Sequence, residues 1–362
     1  MLIKYDIYKD CTLCPRACHA DRTKAKSPTD GPGSCRMGAG AVLAKAMLHS
    51  WEEPGITEHG APSGAVFFTG CTMQCVYCQN RVISAGLPCT AETKTPVPGT
   101  DGAVTRRPVG IPRSPKQLAQ IFLRLQKEGA SNIDLVTPTH FLPDVKEALE
   151  LCGGRLTIPV VYNTGGYERA EIIKEISPYI DYWLPDVKYF DDDTAVRYSR
   201  APRYFETACE ALSEMIAASE RKTAETSQQK GTDGTTAALR PAKERVIVRH
   251  MVLPGQKEDS IRVLRGLKER FGTDRFLISL MSQYTPQEEE TAPASCAEER
   301  TALSRGRGLF TKENYPELFR RVTTYEYEKV VEEALRLGFD GYRQDRTTAK
   351  KEYTPDFDLS GL

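Results

Sequence analysis

The 362-residue chain has no excess charge of either sign: 49 Lys and Arg balance 49 Asp and Glu. No basic block or stripe stands out, so no nucleic-acid partner is expected. No apolar run approaches the ~18 residues that a membrane-spanning helix needs, and no membrane partner is expected either. The first ten residues are charged and short of apolar length, unlike a secretory signal. No internal repeat is present. We therefore expect a cytoplasmic protein with room for one large domain or two ordinary ones. In that compartment its 11 cysteines argue for metal or redox use rather than a disulfide framework.

The cysteines are grouped. Cys71, Cys75 and Cys78 stand at C-x3-C-x2-C spacing directly after a short apolar run. Three thiolates can hold three irons of a cubane 4Fe-4S cluster and leave the fourth iron open. An open iron can bind a small molecule and pass it an electron, whereas a cluster closed by four cysteines only relays electrons. Cys89 is the one other thiol close by in sequence. Buried, unreactive packing is the blander role for such thiols, but it does not account for their grouping beside a strand end.

Cys11, Cys14, Cys18 and Cys35 form a second group, in a segment punctuated by Pro and Gly that reads as a knuckle of turns. Four thiolates suit a zinc ion or an auxiliary iron–sulfur cluster equally. A zinc ribbon would prefer a second CxxC pair, and that pair is missing. Cys89, Cys152, Cys209 and Cys296 are scattered and carry no assigned role.

Short apolar, often β-branched runs at 65–69, 133–137, 159–162, 182–184, 245–253 and 276–280 predict strands. Helices are predicted between them over 114–128, 143–151, 170–176, 205–218 and 260–271. Regular strand–helix alternation means parallel βαβ units. About six units point to an α/β fold, a partial (β/α)6 barrel with an N-terminal cysteine-rich knuckle. The expected division is a knuckle over 1–45, a core over 46–285, an insertion over 286–312 and a C-terminal helix and strand within 313–362. Residues 88–113, 219–243 and 286–310 are poor in large apolar groups and read as mobile surface insertions.

In this setting the triplet is similar to that of the radical S-adenosylmethionine (SAM) superfamily, and Tyr77, just before the third cysteine, also matches its pattern. Residues 161–167, 184–188 and 248–255 resemble successive strand-end motifs of pyruvate formate-lyase activating enzyme. With residues 51–54 and 136–140, the chain most resembles the PflX-like branch of its homologues, over about 5–345 apart from the three insertions. The resemblance implies a 4Fe-4S cluster on Cys71, Cys75 and Cys78 whose open iron is chelated by SAM. One electron then cleaves the sulfonium, and the 5′-deoxyadenosyl radical abstracts hydrogen from a substrate. It suggests a protein or peptide substrate, with a glycyl radical enzyme as the first possibility, and a low-potential reductant such as flavodoxin or ferredoxin. Another peptide or a small molecule is the alternative substrate; an iron–sulfur electron carrier is the non-enzymatic one.

Several positions carry specific expectations. Thr164, Gly165 and Gly166 are similar to a strand-end SAM contact, where glycine lets the backbone approach a ligand. Asp186 and Lys188 share a face two residues apart; Lys188 would pair the methionine carboxylate, and Asp186 would hold the amino group or orient Lys188. Arg249, inside an apolar run, needs a buried partner, either ligand or core carboxylate. His250 faces the other side and is expected to be structural. Thr137 and Thr139 stand where the family commonly has Gly-Gly-Glu, so hydroxyls and carbonyls would replace that contact. Residues 282–285 stand where the activating enzyme has a ribose-binding His; Gln283 or Tyr284 is a candidate there. Glu52 and Glu53, adjacent and followed by Pro54, fit acid/base work but read more simply as a solvated turn.

Overall fold

The computed structural model describes residues 2–50, 52–57, 60–85, 109–229, 241–289, 310–344 and 355–362. A strand not expected from the sequence, β1 (Val42–His49), pairs antiparallel with β2 (Ser63–Phe68) and with a short edge strand, β3 (Ile111–Pro112). β1 therefore runs across the boundary expected at residue 45. From β2 onward the expected alternation is present. β4 (Ile133–Val136), β5 (Val160–Thr164) and β6 (Tyr182–Pro185) add in parallel, giving the order β3-β1-β2-β4-β5-β6. A second, all-parallel sheet holds β7 (Ile247–Met251), β8 (Leu277–Met281) and β9 (Gly341–Arg343). Parallel bridges between Trp183 and Val246 and between Asp186 and Arg249 join β6 to β7. The protein has an α/β fold with a mixed sheet.

The helices are α1 (Arg81–Ser84), α2 (Pro115–Lys127), α3 (Leu142–Cys152), α4 (Ala170–Ile176), α5 (Asp192–Ser199), α6 (Tyr204–Gln229), α7 (Lys257–Phe271) and α8 (Thr324–Leu337). Local sequence explains their ends. Ser114 and Gln117 form a capping box on α2, with Pro115 in its first turn. Thr323 and Glu326 do the same for α8, which stops at the left-handed Gly338. α5, not foreseen, starts from the Asp191 side chain, which accepts from the Thr194 N–H.

Two stretches expected as surface insertions are partly regular. α6 continues to Gln229, into the stretch 219–243. Leu212, Met215 and Ile216 anchor the helix in the core, and the Ala-, Glu- and Lys-containing sequence that follows propagates it at little cost. Residues 111–112 of the stretch 88–113 form β3. The remaining parts of these expected insertions, 88–108, 230–240 and 290–309, lie outside the described residues. No helix among the described residues is long and apolar enough to cross a membrane.

Side-chain alternation gives the sheets two faces. Val66, Phe68, Leu135, Tyr162, Trp183, Val248 and Ile278 belong to the large core that the helices cover. Their neighbours point the other way, to what we call the inner face. There, Val161, Leu184, Ile247 and Leu277 enclose Ile56 from the β1–β2 connection. Ala65 and Phe67 form a smaller cluster with Ala44 and Ile83.

The cysteine-rich segment is built of turns and bridges, with two short 3-10 helices at Tyr5–Tyr8 and Arg22–Lys24. Arg22 fastens it to the sheets. Its guanidinium, with no exposed surface, donates to the carbonyls of Met37, Gly38 and His140 and lies 4.6 Å from the Tyr8 ring centre.

Candidate active site

The chain leaves β2 through Gly70, whose φ of +87° and tight packing against Met37 exclude a side chain: a Cβ would lie 2.4 Å from Met37 Cγ. The next eight residues carry Cys71, Cys75 and Cys78, all free thiols. Each sulfur has a donor. The Met73 N–H reaches Cys71 Sγ at 3.4 Å, Ser199 Oγ reaches Cys75 Sγ at 2.8 Å, and Ser84 Oγ reaches Cys78 Sγ at 3.4 Å. The site is dry. Burial first, and the neighbouring Cys75 second, push the Cys71 thiol up to about 12. Holding thiolates here requires positive charge, which irons would supply.

The cysteine-rich segment braces this loop. Arg16 donates to the Thr72 carbonyl at 2.9 Å and to the Ser199 carbonyl at 2.9 Å, and it also reaches the Arg200 carbonyl. Gln74 Nε2 donates to the Ser34 carbonyl at 2.8 Å. Within the segment, Cys11, Cys14 and Cys35 are buried, and the Cys18 sulfur is held down toward the thiolate form by the Cys11 thiol. Among the described residues no three His, Cys, Asp or Glu side chains converge on a single-ion cage. Thiols that take separate corners of a cubane need no such convergence.

Facing the loop are the ends of β5 and β6. A Cβ on Gly165 would stand 2.7 Å from Met73 Sδ and 3.7 Å from Lys188 Cε. Gly166, at φ +80°, lets the chain pass so close that a Cβ would lie 2.0 Å from the Asp186 carbonyl oxygen. The Tyr204 hydroxyl ties these ends together, accepting from the Lys188 N–H at 3.0 Å beside the carbonyls of Gly165 and Asp186.

Asp186, Lys188 and Arg249 come together. Asp186 accepts from Lys188 Nζ and, at 2.9 Å, from Arg249 Nε. Burial opposes the Asp186 carboxylate, but the two cations outweigh it and hold its pKa below the usual value. Arg249 also donates to Asn163 Oδ1 at 2.5 Å and lies 3.8 Å from Glu52 Oε2.

That last contact corrects the expectation for Glu52 and Glu53. Trp51 lies outside the described residues, but the two carboxylates are not on a solvated turn. They turn onto the inner face, where burial raises both carboxyls and Arg249 opposes that rise. Asp134 of β4 completes the group, fully buried, with Oδ2 accepting from Asn163 at 3.1 Å. Burial, then the charge of Glu52, raises its pKa well above normal. Asp134 and Asn163 were not singled out beforehand. A lone Asp inside the apolar strand Ile133–Val136 is the signal that could have found the first.

The threonines are placed differently from expectation. Thr139 and Thr164 both turn their hydroxyls to Glu168 Oε1, so their side chains are engaged away from the inner face. Thr137 adopts a φ of +60°, and its N–H donates to the Asn163 carbonyl at 2.8 Å. His140 is neutral, lowered to about 3 by burial and then by Arg22, and its Nε2 sits 2.7 Å from the Thr69 carbonyl.

Glu168, missed in the sequence, is buried, and its Oε2 has no partner among the described residues. Burial outweighs the two hydroxyls and lifts its pKa from 4.5 to about 7. The unfolded chain therefore loses this proton before the folded one does. Stability falls as pH rises from near the unfolded value through the folded one, and then levels. Glu168→Gln removes this dependence. Relative to the parent, the variant is expected to gain about 2–3 kcal/mol between about pH 5 and about pH 8, read from urea unfolding. A constant difference would show that Glu168 is already ionised.

Tyr77 lies behind the loop rather than over it. Its hydroxyl meets that of Tyr189, and its ring packs edge-on against Tyr189, Tyr198 and Tyr284. Tyr284 is buried and donates to the Leu318 carbonyl at 2.5 Å, and Gln283 is bonded to Gln344. His250 is buried on the covered side, against the Val187 carbonyl, as expected.

Residues 65–226 match the model of the Radical SAM superfamily. A protein of Methanocaldococcus jannaschii described as uncharacterized is 24% identical over 340 residues, covering 93% of this chain and 78% of its own. Among solved structures, Streptococcus suis SuiB bound to S-adenosylmethionine aligns with a TM-score of 0.41 at 11% identity, covering 79% of this chain. This chain spans about half, 51%, of that SuiB chain. A radical SAM methyltransferase from Sphaerobacter thermophilus aligns with a TM-score of 0.40 at 13% identity, covering 90% of this chain and 80% of its own. The matched segment includes Cys71, Cys75 and Cys78.

Proposed function

We propose, taking residues 65–226 as a radical SAM domain, that this protein is a SAM-cleaving enzyme whose two bridged sheets form a partial (β/α)6 barrel around the inner face. One observation carries this: three free thiols on the loop after β2, each with a donor to its sulfur, facing Gly165 and Lys188. Cys71, Cys75 and Cys78 would hold a 4Fe-4S cluster. Once bound, that cluster supplies the electron that splits SAM into methionine and a 5′-deoxyadenosyl radical able to abstract hydrogen.

The chain's own groups do the positioning. Lys188, whose ammonium is sustained by Asp186 against the cost of burial, offers a cation to the methionine carboxylate. Arg249 fixes Asp186 from below. Gly165 and Gly166 let backbone come close to the cofactor. Because Thr139 and Thr164 are committed to Glu168, the segment 137–139 and Thr164 contribute backbone groups rather than hydroxyls. Buried aromatic rings, Tyr77 among them, keep water from the back of the loop.

Ser199 and Ser84 have an electronic role in this reading. A donor to a ligating sulfur favours the more electron-rich state. Ser199→Ala is therefore expected to lower the midpoint potential of the reconstituted cluster, followed by redox titration with EPR detection. An unchanged potential would limit Ser199 to packing.

The resemblance in sequence suggests a member of the PflX-like branch and hydrogen abstraction from a protein or peptide, with a glycyl radical enzyme first. A flavodoxin or ferredoxin would supply electrons in the cytoplasm. Cys11, Cys14, Cys18 and Cys35 would hold a second metal centre, and the Arg16 and Gln74 contacts make that centre a brace for the first. The test is anaerobic reconstitution with iron and sulfide, reduction with SAM present, and assay for 5′-deoxyadenosine. Iron and zinc are counted in the same sample, so the identity of the second centre is read directly.

A further inference from the structure

Residues 355–362 lie against the inner face. Phe357 packs edge-on to Phe67, with ring centres 5.5 Å apart, beside the cluster of Ala44, Ala65 and Ile83. Phe67 alternates with Val66 and Phe68, whose side chains go to the helices, so this contact is on the opposite side of the sheet. Lys45, buried on β1, donates to the Asp356 carbonyl and pairs with Asp358 at 3.0 Å. Farther on, the Ala46 N–H donates to the Ser360 carbonyl at 3.4 Å, and Arg124 of α2 donates to the Gly361 carbonyl at 2.6 Å. The segment therefore crosses the edge of β1 that β3 leaves open, since β3 pairs only with Val42 and Leu43.

From there a chain of contacts leads to the site. The His49 ring stands edge-on to Phe67 at 6.4 Å, and His49 Nε2 lies 3.9 Å from Glu52 Oε1. Glu52 in turn faces Arg249 at 3.8 Å.

We propose that residues 355–362 are an intramolecular strap lying in the groove by which a peptide reaches the inner face, and that the ligand of this groove is an extended peptide with an aromatic residue flanked by carboxylates. The strap's contacts are those that peptide ligands make: a main-chain bond to a strand edge, one ring in an apolar pocket and one carboxylate on a buried lysine. The Asp358 carboxylate opposite Lys45 gives the charge complementarity. So few contacts favour local opening without unfolding the sheet. The idea rests on the reading above only in taking the inner face as the substrate's side.

The test uses a fluorescent peptide of residues 355–362 and the full-length chain, read by anisotropy. In the parent, the tethered strap holds the groove at an effective concentration in the mM range and the free peptide binds weakly. Phe357→Ala combined with Asp358→Ala loosens the strap, and the peptide is expected to bind at least about tenfold tighter. Adding Lys45→Glu is expected to abolish that gain. Hydrogen exchange at the Ala46 amide should quicken in the double variant while the β4 and β5 amides stay protected, which excludes general unfolding. No gain in binding, a gain that survives Lys45→Glu, or an unchanged Ala46 amide would overturn the proposal. None of these readouts uses SAM cleavage, so failure of the radical chemistry would leave them interpretable.

Discussion

Replacing Cys71, Cys75 or Cys78 with Ala is expected to abolish 5′-deoxyadenosine formation, with turnover falling by at least about a thousandfold. Each thiolate would secure a different corner of the cubane, so each loss opens an iron to solvent in a site built to exclude it. A Ser84→Ala or Ser199→Ala change removes only a donor to sulfur and should shift potential while leaving the cluster in place. Cys152→Ala and Cys209→Ala supply the control. Both thiols are buried in the large core, away from the loop, and substituting them should leave product formation intact. Near-parental turnover by Cys75→Ala would contradict the assignment, because Cys75 is the buried member with the shortest sulfur contact.

Arg249→Met is expected to cost about 3–5 kcal/mol of stability at neutral pH, the usual effect of removing one partner from a buried ion pair. Arg249 is the cation that Asp186, Glu52, Glu53 and Asp134 share, and Lys188 reaches only the first of these by hydrogen bond. Without Arg249 the folded carboxyls titrate at higher pH than unfolded ones. Stability is then lost as pH rises above the ordinary carboxyl range, and the deficit shrinks on acidification. Adding Glu52→Gln should recover part of it. Urea unfolding of the metal-free chain at several pH values measures both effects. A deficit that does not depend on pH would mean that Arg249 acts by packing alone. SAM binding should weaken in the same variant, because Asp186, and through it Lys188, loses its anchor.

Much of the fold could be read from the chain because its parallel strands are short β-branched runs between capped helices. β1 escaped. Val42–His49 holds one β-branched residue, and Lys45 interrupts its apolar run, so nothing local marks a strand. Its conformation comes from pairing with β2, and the Lys45 ammonium is accommodated only because residues 356 and 358 cover it. In the site, the motif residues Asp186, Lys188 and Arg249 were visible, and so was the cysteine triplet. What stayed hidden was set by contacts distant in sequence. Glu52 has the local features of an exposed turn, and only Arg249, on a strand far along the chain, shows it to be interior. Thr164 looked like a cofactor contact until Glu168 claimed its hydroxyl. Ser199 sits at the end of a helix that propensity did not announce, yet it reaches Cys75.

The central claim is most directly tested by the product assay on the reconstituted, reduced chain with SAM. We expect 5′-deoxyadenosine and methionine in equal amounts from the parent and from Cys89→Ala, and none from Cys71→Ala. A chain that holds a full 4Fe-4S cluster, loses it in Cys89→Ala, and neither binds nor cleaves SAM would contradict the account. It would then be a closed-cluster electron carrier.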